Sequence, residues 1–377
     1  MMSDDANKTI IALDIEPNPW IRDIANAKRW QLTHLWFRDL PMGIKPKGAL
    51  VQNLPSSGLV KKLQDDGCQV VRVGNLPHPD DHKLPAVLPD VIAEGEMAAD
   101  HFHEKGFAHL GFFGHIPWDN GELLFQGFKE RALFLGLKCH LHRFRQKNKS
   151  VKKSSAIRKE NEFKAWIQGV PKPIGLLAIG DGNASTFCAW TEEIGLNIPD
   201  EVAILSRGNH QNICECMMPT LSCIELDGPG KIKAACQLLS SMMDGTPPPK
   251  EPILIPPIGV IERESTSVFA SVNPTVATAL KFIWDHFDSP ISVEAIARAS
   301  HLSSRQLERH FKKELGRSIN EEILRKRLEE AKRLLRTSSQ PISKLSPLIG
   351  IGSHTYFHRI FLKAFGLTPS QYRESFY

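Results

Sequence analysis

The chain has 377 residues, 41% hydrophobic and 24% charged, a composition that excludes collagen-like, coiled-coil and wholly disordered classes. At roughly 100–200 residues per domain, this length implies two or three domains. The formal charge of +5 (47 basic, 42 acidic) is mild, but it is unevenly placed. Residues 273–377 hold 17 Lys+Arg against 10 Asp+Glu, a net of +7, which leaves 30 against 32, a net of −2, for the first 272. A basic appendage on a near-neutral body is the electrostatic footprint of a nucleic-acid binder.

The seven cysteines (Cys68, Cys139, Cys188, Cys214, Cys216, Cys223, Cys236) are odd in number and scattered through apolar stretches. That pattern suits reduced thiols rather than a disulfide framework. The opening MMSDDANKTI is acidic, the apolar run after it is short, and no run of about 18 apolar residues occurs, so neither a signal peptide nor a membrane span is expected. The expected location is the cytoplasm.

Over the first ~260 residues, short apolar runs alternate with helical stretches. TIIALDI, GALVQNL, CQVVRVG, HLGFFG, GLLAIGD, EVAILS and LSCIEL each read as a buried strand bounded by Gly, Pro, Asn or Asp. The amphipathic segments Ile92–Lys105, Phe125–Leu135 and Lys231–Met243 stop at Gly106, Gly136 and Asp244-Gly245. Alternating strands and helices predict a parallel sheet with helices on both faces, either as one large sheet or as two lobes. Lys138–Lys164, with ten Lys+Arg, interrupts this pattern and reads as a solvated loop and helix face, with a second nucleic-acid contact as the alternative. Pro-rich Thr246–Pro257 then leads to a small, polar stretch ending near Asn273, which reads as an interdomain linker.

Beyond it the texture is nearly all helical: Pro274–Phe287, Val293–Ala299, Ser304–Leu315, Ile319–Arg336, Ile342–Leu348 and Ser353–Phe365. An internal repeat lies here. SSRQLERHFKKELG (Ser303–Gly316) aligns on SHTYFHRIFLKAFG (Ser353–Gly366), with Ser303/Ser353, Arg309/Arg359, Phe311/Phe361, Lys313/Lys363 and Gly316/Gly366 identical. Each copy follows a short apolar helix. Two short helices joined by a tight turn make a helix-turn-helix, here present twice.

At ~100° per residue, placing Leu307 at the centre of the buried face keeps Phe311 inside and turns Arg305, Glu308, Arg309 and Lys312 outward. Arg is the usual bidentate partner of guanine, and Ser, Thr and His reach base edges or phosphates. Ser303, Ser304 and Ser353 also suit N-caps. The helix Ile319–Arg336 sets the separation of the two recognition helices, which would read successive major-groove faces ~34 Å apart.

PLIGIGSHTYFHRIFLKAFGLTPSQYR, closing on Gly366-Leu-Thr-Pro-Ser-Gln-Tyr-Arg373, resembles the signature of arabinose-regulator (AraC/XylS-type) transcription factors. The resemblance covers about residues 272–373. It implies that Ser304, Arg305, Glu308, Arg309 and Lys312 in the first unit, and His354, Thr355, His358 and Arg359 in the second, contact double-stranded operator DNA. Where the family usually has Gly-Phe before the second recognition helix, this chain has Gly350-Ile351.

The body resembles the periplasmic-binding-protein-like sensor of LacI/GalR-type regulators, in particular that of xylose-operon regulators, in which this sensor is fused to the same DNA-binding module. Leu84–Gly114, Gly127-Phe128, Leu196–Ser206 and Pro219–Asp227 carry the likeness. The implied fold is an α/β two-lobed periplasmic-binding-protein-like sensor domain (8–262), a linker (263–272) and an all-α tandem helix-turn-helix DNA-binding domain (273–377). By position, Glu16, Asp90, Trp118, Asp181, Asn209 and His210 line the cleft, where carboxylates would bind vicinal hydroxyls and an aromatic would stack on a sugar face.

Departures from the family fall on that pocket: the usual Arg is Leu124, the usual Asp-Asn-Asp is Gly208-Asn209-His210, and the opening helix Trp20–Trp30 has no Gly-rich entry. These changes point away from a pentose. They leave a less hydroxylated sugar-like effector, or a cleft without a ligand that regulates through a protein partner. The pairs His101/His103 and Cys214/Cys216 do not define a zinc site, and no P-loop, Gly-x-Ser-x-Gly elbow or Rossmann fingerprint is present. The reading is therefore a homodimeric DNA-binding transcription regulator that responds to a small molecule, with no cofactor, metal or membrane. An enzyme with a DNA-binding tail is the alternative class.

Overall fold

The computed structural model describes residues 8–13, 15, 19–35, 45–52, 57–74, 84–115, 119–144, 153–270, 273–338 and 340–374. Within them the chain forms two compact units. One comprises residues 1–95, 115–128 and 226–257, and the other 96–114, 129–225 and 258–377.

The first unit is built on strands β1 (Thr9–Leu13), β2 (Gln31–Leu35), β3 (Gly48–Val51), β4 (Gln69–Val73) and β5 (Ala86–Pro89), interleaved with helices α1 (Pro19–Ala27) and α2 (Ser57–Asp65). Helices α3 (Val91–Glu104) and α4 (Asp119–Phe134) follow in sequence, with β6 (His109–His115) between them. Then come β7 (Lys138–Phe144), α5 (Lys153–Gly169), β8 (Ile174–Ala178), α6 (Asp181–Glu193), β9 (Val202–Arg207), α7 (Gln211–Cys214), β10 (Ser222–Glu225), α8 (Gly228–Met243), β11 (Ile253–Ile255) and β12 (Gly259–Ile261). The strands make two six-stranded sheets, ordered β11-β5-β4-β3-β1-β2 and β12-β10-β9-β8-β6-β7.

All seven expected strands are present. In the first sheet, β1 pairs in parallel with β2 and β3, Ile10 lying opposite Leu32 and Gly48. Strict alternation then sends Ile10 and Ala12 to a core with α1 and α8, and Ile11 and Leu13 to a core with α2. In the second sheet, Ile174, Leu176, Val202 and Ile204 pack on Phe163 and Ile167 of α5 and on Ala184 and Phe187 of α6.

The five strands beyond those expected are β2, β5, β7, β11 and β12. Lys138–Phe144, expected as loop, is a strand at the sheet edge, and Lys153–Gly169 is a helix. In β7, at the sheet edge, Lys138 is exposed and His140 and His142 are only half-buried, so the apolar alternation is too weak to announce a strand.

Gly95 and Gly127 have a packing reason. A Cβ at Gly95 would stand 2.2 Å from the Leu124 carbonyl oxygen, and one at Gly127 the same distance from that of Ile92. The backbones of α3 and α4 touch there, which only glycine permits.

The carboxyl-terminal region folds as expected: α9 (Pro274–His286), α10 (Val293–Ala299), α11 (Ser304–Leu315), α12 (Ile319–Thr337), α13 (Ile342–Leu348), α14 (His354–Phe365) and a further short α15 (Pro369–Glu374). Two cores result. Val276, Leu280, Ile283, Ile296, Leu307, Phe311, Ile319 and Ile323 form the first, and Leu328, Leu335, Leu345, Ile349, Phe357 and Phe361 belong to the second. Helix α12 contributes to both, and its 19 residues span about 28 Å.

The stretch expected as a linker begins bound to the second sheet. Arg263 bonds the Leu221 carbonyl, Ser222 and Asn209, while Ser265 and Thr266, fully buried, bond Ile204, Ser222 and His101. Small polar side chains read as flexible in sequence because their hydrogen-bond partners are distant in sequence.

Candidate nucleic-acid interface and effector site

Both repeat units form the same device. Ser303 accepts from the Gln306 backbone N–H in a reciprocal capping box, and Ser353 accepts from the Tyr356 N–H. Each second helix ends on a left-handed glycine, Gly316 (φ 70°) and Gly366 (φ 72°). Leu307 and Phe311 in α11, and Phe357 and Phe361 in α14, are fully buried. The opposite faces are therefore free. Arg305, Arg309 and Lys312 are exposed, as are His354, Thr355 and Arg359, while Ser304, Glu308 and His358 are half-buried.

Two of these residues have internal partners. Glu308 accepts a long hydrogen bond from the Ile319 N–H at 3.4 Å, so part of its carboxylate serves the entry to α12. The His354 and His358 rings lie 4.5 Å apart, one turn from each other. Partial burial first, then the charge of His354, hold His358 below the usual histidine range. A neutral imidazole can both donate and accept a hydrogen bond.

The two units are held in register by Arg327 of α12, which donates to the carbonyls of Phe287 (2.7 Å) and Ser289 (2.8 Å) at the end of α9. Gly350 (φ 71°), in the turn of the second unit, backs onto the same Phe287 oxygen, and a Cβ there would come within 2.5 Å of it. The only sequence signal for this contact is the glycine before the second recognition helix. Tyr356, which carries no such signal, is exposed on α14 with the Arg359 guanidinium 5.4 Å from its ring.

Among the expected effector residues, Glu16 and Trp118 lie outside the described residues. Asp90 follows β5 in the first unit and caps α3 by accepting from the Ala93 N–H at 3.0 Å. Asp181, Asn209 and His210 come together in the second unit at the carboxyl ends of β8 and β9, the position at which open α/β sheets bind ligands.

Their roles there differ. The Asp181 side chain is 1% exposed, and its carboxylate accepts from the Ser206 hydroxyl, the His210 N–H (2.9 Å) and His210 Nδ1 (3.0 Å). Gly208 (φ 119°) lets the loop wrap around that carboxylate. Asn209 turns its Oδ1 to Arg263 (3.1 Å) and to Cys223 Sγ (3.4 Å). His210, 80% exposed, is left presenting its ring to solvent with Nδ1 committed to Asp181.

No cluster of three or more His, Cys, Asp or Glu suited to a metal ion occurs among the described residues, and none of the helices searched is long and apolar enough to cross a membrane.

A two-sheet α/β sensor followed by two capped, basic helix-turn-helix units is a DNA-binding transcription regulator. The periplasmic binding protein-like domain family matches residues 99–266, and the helix-turn-helix domain family matches residues 296–375. The chain belongs to the AraC/XylS-type transcription regulators that carry a periplasmic-binding-protein-like sensor.

Its relatives include the xylose operon regulatory protein of Escherichia coli K12, 26% identical over 330 residues that cover 86% of this chain and 83% of that protein. The protein of the same name from Haemophilus influenzae is 27% identical over 298 residues, covering 77% and 75%. The multiple antibiotic resistance protein MarA of E. coli K12 is 33% identical over 99 residues, which cover 26% of this chain and 78% of MarA. The fold is shared with a solved xylose-binding transcription activator, xylR, at a TM-score of 0.56 and 22% identity over 98% of both chains.

Proposed function

We propose that the protein is a cytoplasmic, homodimeric regulator whose sensor (8–262) binds a sugar or sugar derivative, and whose tandem helix-turn-helix domain (273–377), reached through 263–272, reads an operator with α11 and α14. The observation that carries the DNA half is the duplicated, capped helix that buries Leu307 and Phe311, or Phe357 and Phe361, and frees Arg305 and Arg309, or Arg359. Arg305 and Arg309 read bases in one major groove. Lys312 and the Ser304 hydroxyl engage phosphate, and Glu308 accepts from a base amine. On α14, Arg359, His358, Thr355 and His354 do the equivalent work in the next groove.

For the effector, the xylose operon regulatory proteins among its relatives favour a sugar over a cleft that acts only through a partner. His210 is the direct contact in this reading, oriented by Asp181, with Asn209 beside it in the same unit. An imidazole replaces a carboxylate, so the pocket has fewer acceptors for vicinal hydroxyls than one lined with aspartates. The working role is regulation of transcription rather than turnover of the sugar. Fluorescence anisotropy on labelled operator fragments, with and without a panel of sugars and sugar acids, tests the reading. A compound that changes operator affinity without being consumed supports it, and one that is converted to product refutes it.

A further inference from the structure

The junction between the second sheet's lobe and the helical domain, both inside one compact unit, is built from charges buried against aromatic rings. Lys105, just past α3, is 1% exposed. Its ammonium bonds Glu262 Oε1 and lies 3.8 Å from the Trp284 ring centroid and 4.5 Å from that of Phe269. Its carbonyl oxygen accepts from the Ala270 N–H at 2.8 Å. Lys326 of α12 brings a second ammonium 3.8 Å from the Trp284 ring and 3.9 Å from Glu262 Oε2. The Trp284 indole N–H donates to Glu322 at 3.1 Å, and Glu322 also accepts from Arg325.

A lone buried ammonium is costly, and what offsets the cost here is one carboxylate and two aromatic faces drawn from different domains. Lys105 and Glu262 come from the sensor, and Trp284 and Lys326 from the helical domain. The default for domains joined by a short connection is relative motion, unless the interface is large or strongly tied.

We propose that Lys105, Glu262, Trp284 and Lys326 are positioning residues that clamp the tandem helix-turn-helix domain to the second lobe, so that whatever moves that lobe carries both recognition helices with it. The clamp rests on the proposed sensor-to-DNA coupling only for its purpose; its existence is a matter of geometry. It touches neither the operator-facing residues nor His210. Its loss would therefore uncouple the domains without removing either binding surface. Because deleting one partner of a buried pair strands the other, the informative changes neutralise both members or act at Lys326, 20% exposed, which leaves Glu262 bonded to Lys105.

The test is a distance measurement between spin labels in the full chain, one on the exposed native Cys216 and one on Lys313→Cys in α11, in a Cys139→Ser background. The unchanged junction gives one narrow distribution. Lys326→Met, and separately Lys105→Met with Glu262→Gln, broaden it roughly two-fold or more while far-ultraviolet circular dichroism and thermal unfolding show both domains folded. Lys326→Arg, which keeps a cation over Trp284, restores the narrow distribution. Distributions as narrow in Lys326→Met as in the unchanged protein would overturn the clamp, as would a broad distribution in the unchanged protein. If the Lys105→Met/Glu262→Gln pair does not fold, Lys326→Met against Lys326→Arg still decides. None of these readouts needs an effector, so failure to find a sugar leaves the result standing.

Discussion

Arg325 donates to Glu104 at 2.9 Å, joining the middle of α12 to the last residue of α3. Burial first, then the charge of Glu329, push the Glu104 carboxyl up, and Arg325 pulls it back, so that it rests at about 7. The helix that spaces the two recognition helices is thus tied directly to the sensor. A regulator needs such a link, because an effector shifts DNA affinity only as far as the two arrangements differ in free energy.

Gly350 is the steric keystone of the second helix-turn-helix unit. Gly350→Ala combines a left-handed backbone with a Cβ 2.5 Å from the Phe287 oxygen. The expected loss of stability is about 1–3 kcal/mol, read as a lower denaturant midpoint at unchanged slope. Gly352→Ala, where an added Cβ meets nothing within 4 Å, is the matched control and should cost far less. Equal midpoints for the two variants would refute the packing argument.

Acid should loosen the helical domain through Glu322. Burial opposes its ionisation, but hydrogen bonds from Arg325, the charges of Arg325 and Arg317, and the Trp284 N–H outweigh it, bringing the carboxyl down to about 2. The unfolded state then binds the proton more readily than the folded one. Glu322 therefore contributes stability above about pH 4.5 and loses it as pH falls towards 2, on the order of 3 kcal/mol in all. Unfolding free energies measured across this window should fall less steeply for Glu322→Gln than for the unchanged protein, from a lower starting value. Parallel curves would show that Glu322 is not the linked group.

His210 offers a separation of binding from folding. Its ring is 80% exposed and the His210 backbone N–H and Ser206 stay on Asp181, so His210→Ala should cost the free protein only about 1–2 kcal/mol, the loss of one donor to that carboxylate. A sugar present at about 100 times its dissociation constant stabilises the unchanged protein by about 2.7 kcal/mol, and His210→Ala should abolish most of that gain. Ser206→Ala, which removes one donor to Asp181, should weaken binding less. An undiminished shift in His210→Ala would exclude the residue from the pocket.

What the sequence made legible follows from the range of the interactions involved. Helices α10 and α11 have the bounds read from the sequence because Ser292, Ser303 and Gly316 are local signals, satisfied within a turn of where they stand. The repeat disclosed its buried face because Leu307 and Phe311 recur as Phe357 and Phe361 at the same spacing. Edge strands such as β2 and β7 lack that signal, since their faces at the rim of the sheet are only partly covered and do not demand apolar residues at every other position. Asp181 shows the limit at the effector site. Its place at the end of β8 was readable, but its commitment to Ser206 and His210 depends on the path of a loop around Gly208. Likewise, nothing near Lys105 in the sequence indicates Trp284 or Lys326, because that pairing exists only after two domains have folded against each other.

The most direct measurement selects bound sequences from a randomised DNA library with the unchanged protein, Arg305→Ala and Arg359→Ala. Base reading by two separate helices predicts that each variant loses preference in its own window, about one helical turn apart, at ~1–3 kcal/mol per lost bidentate contact, while the other window keeps its preference. Identical losses in both variants, or a uniform weakening with every base preference intact, would contradict it.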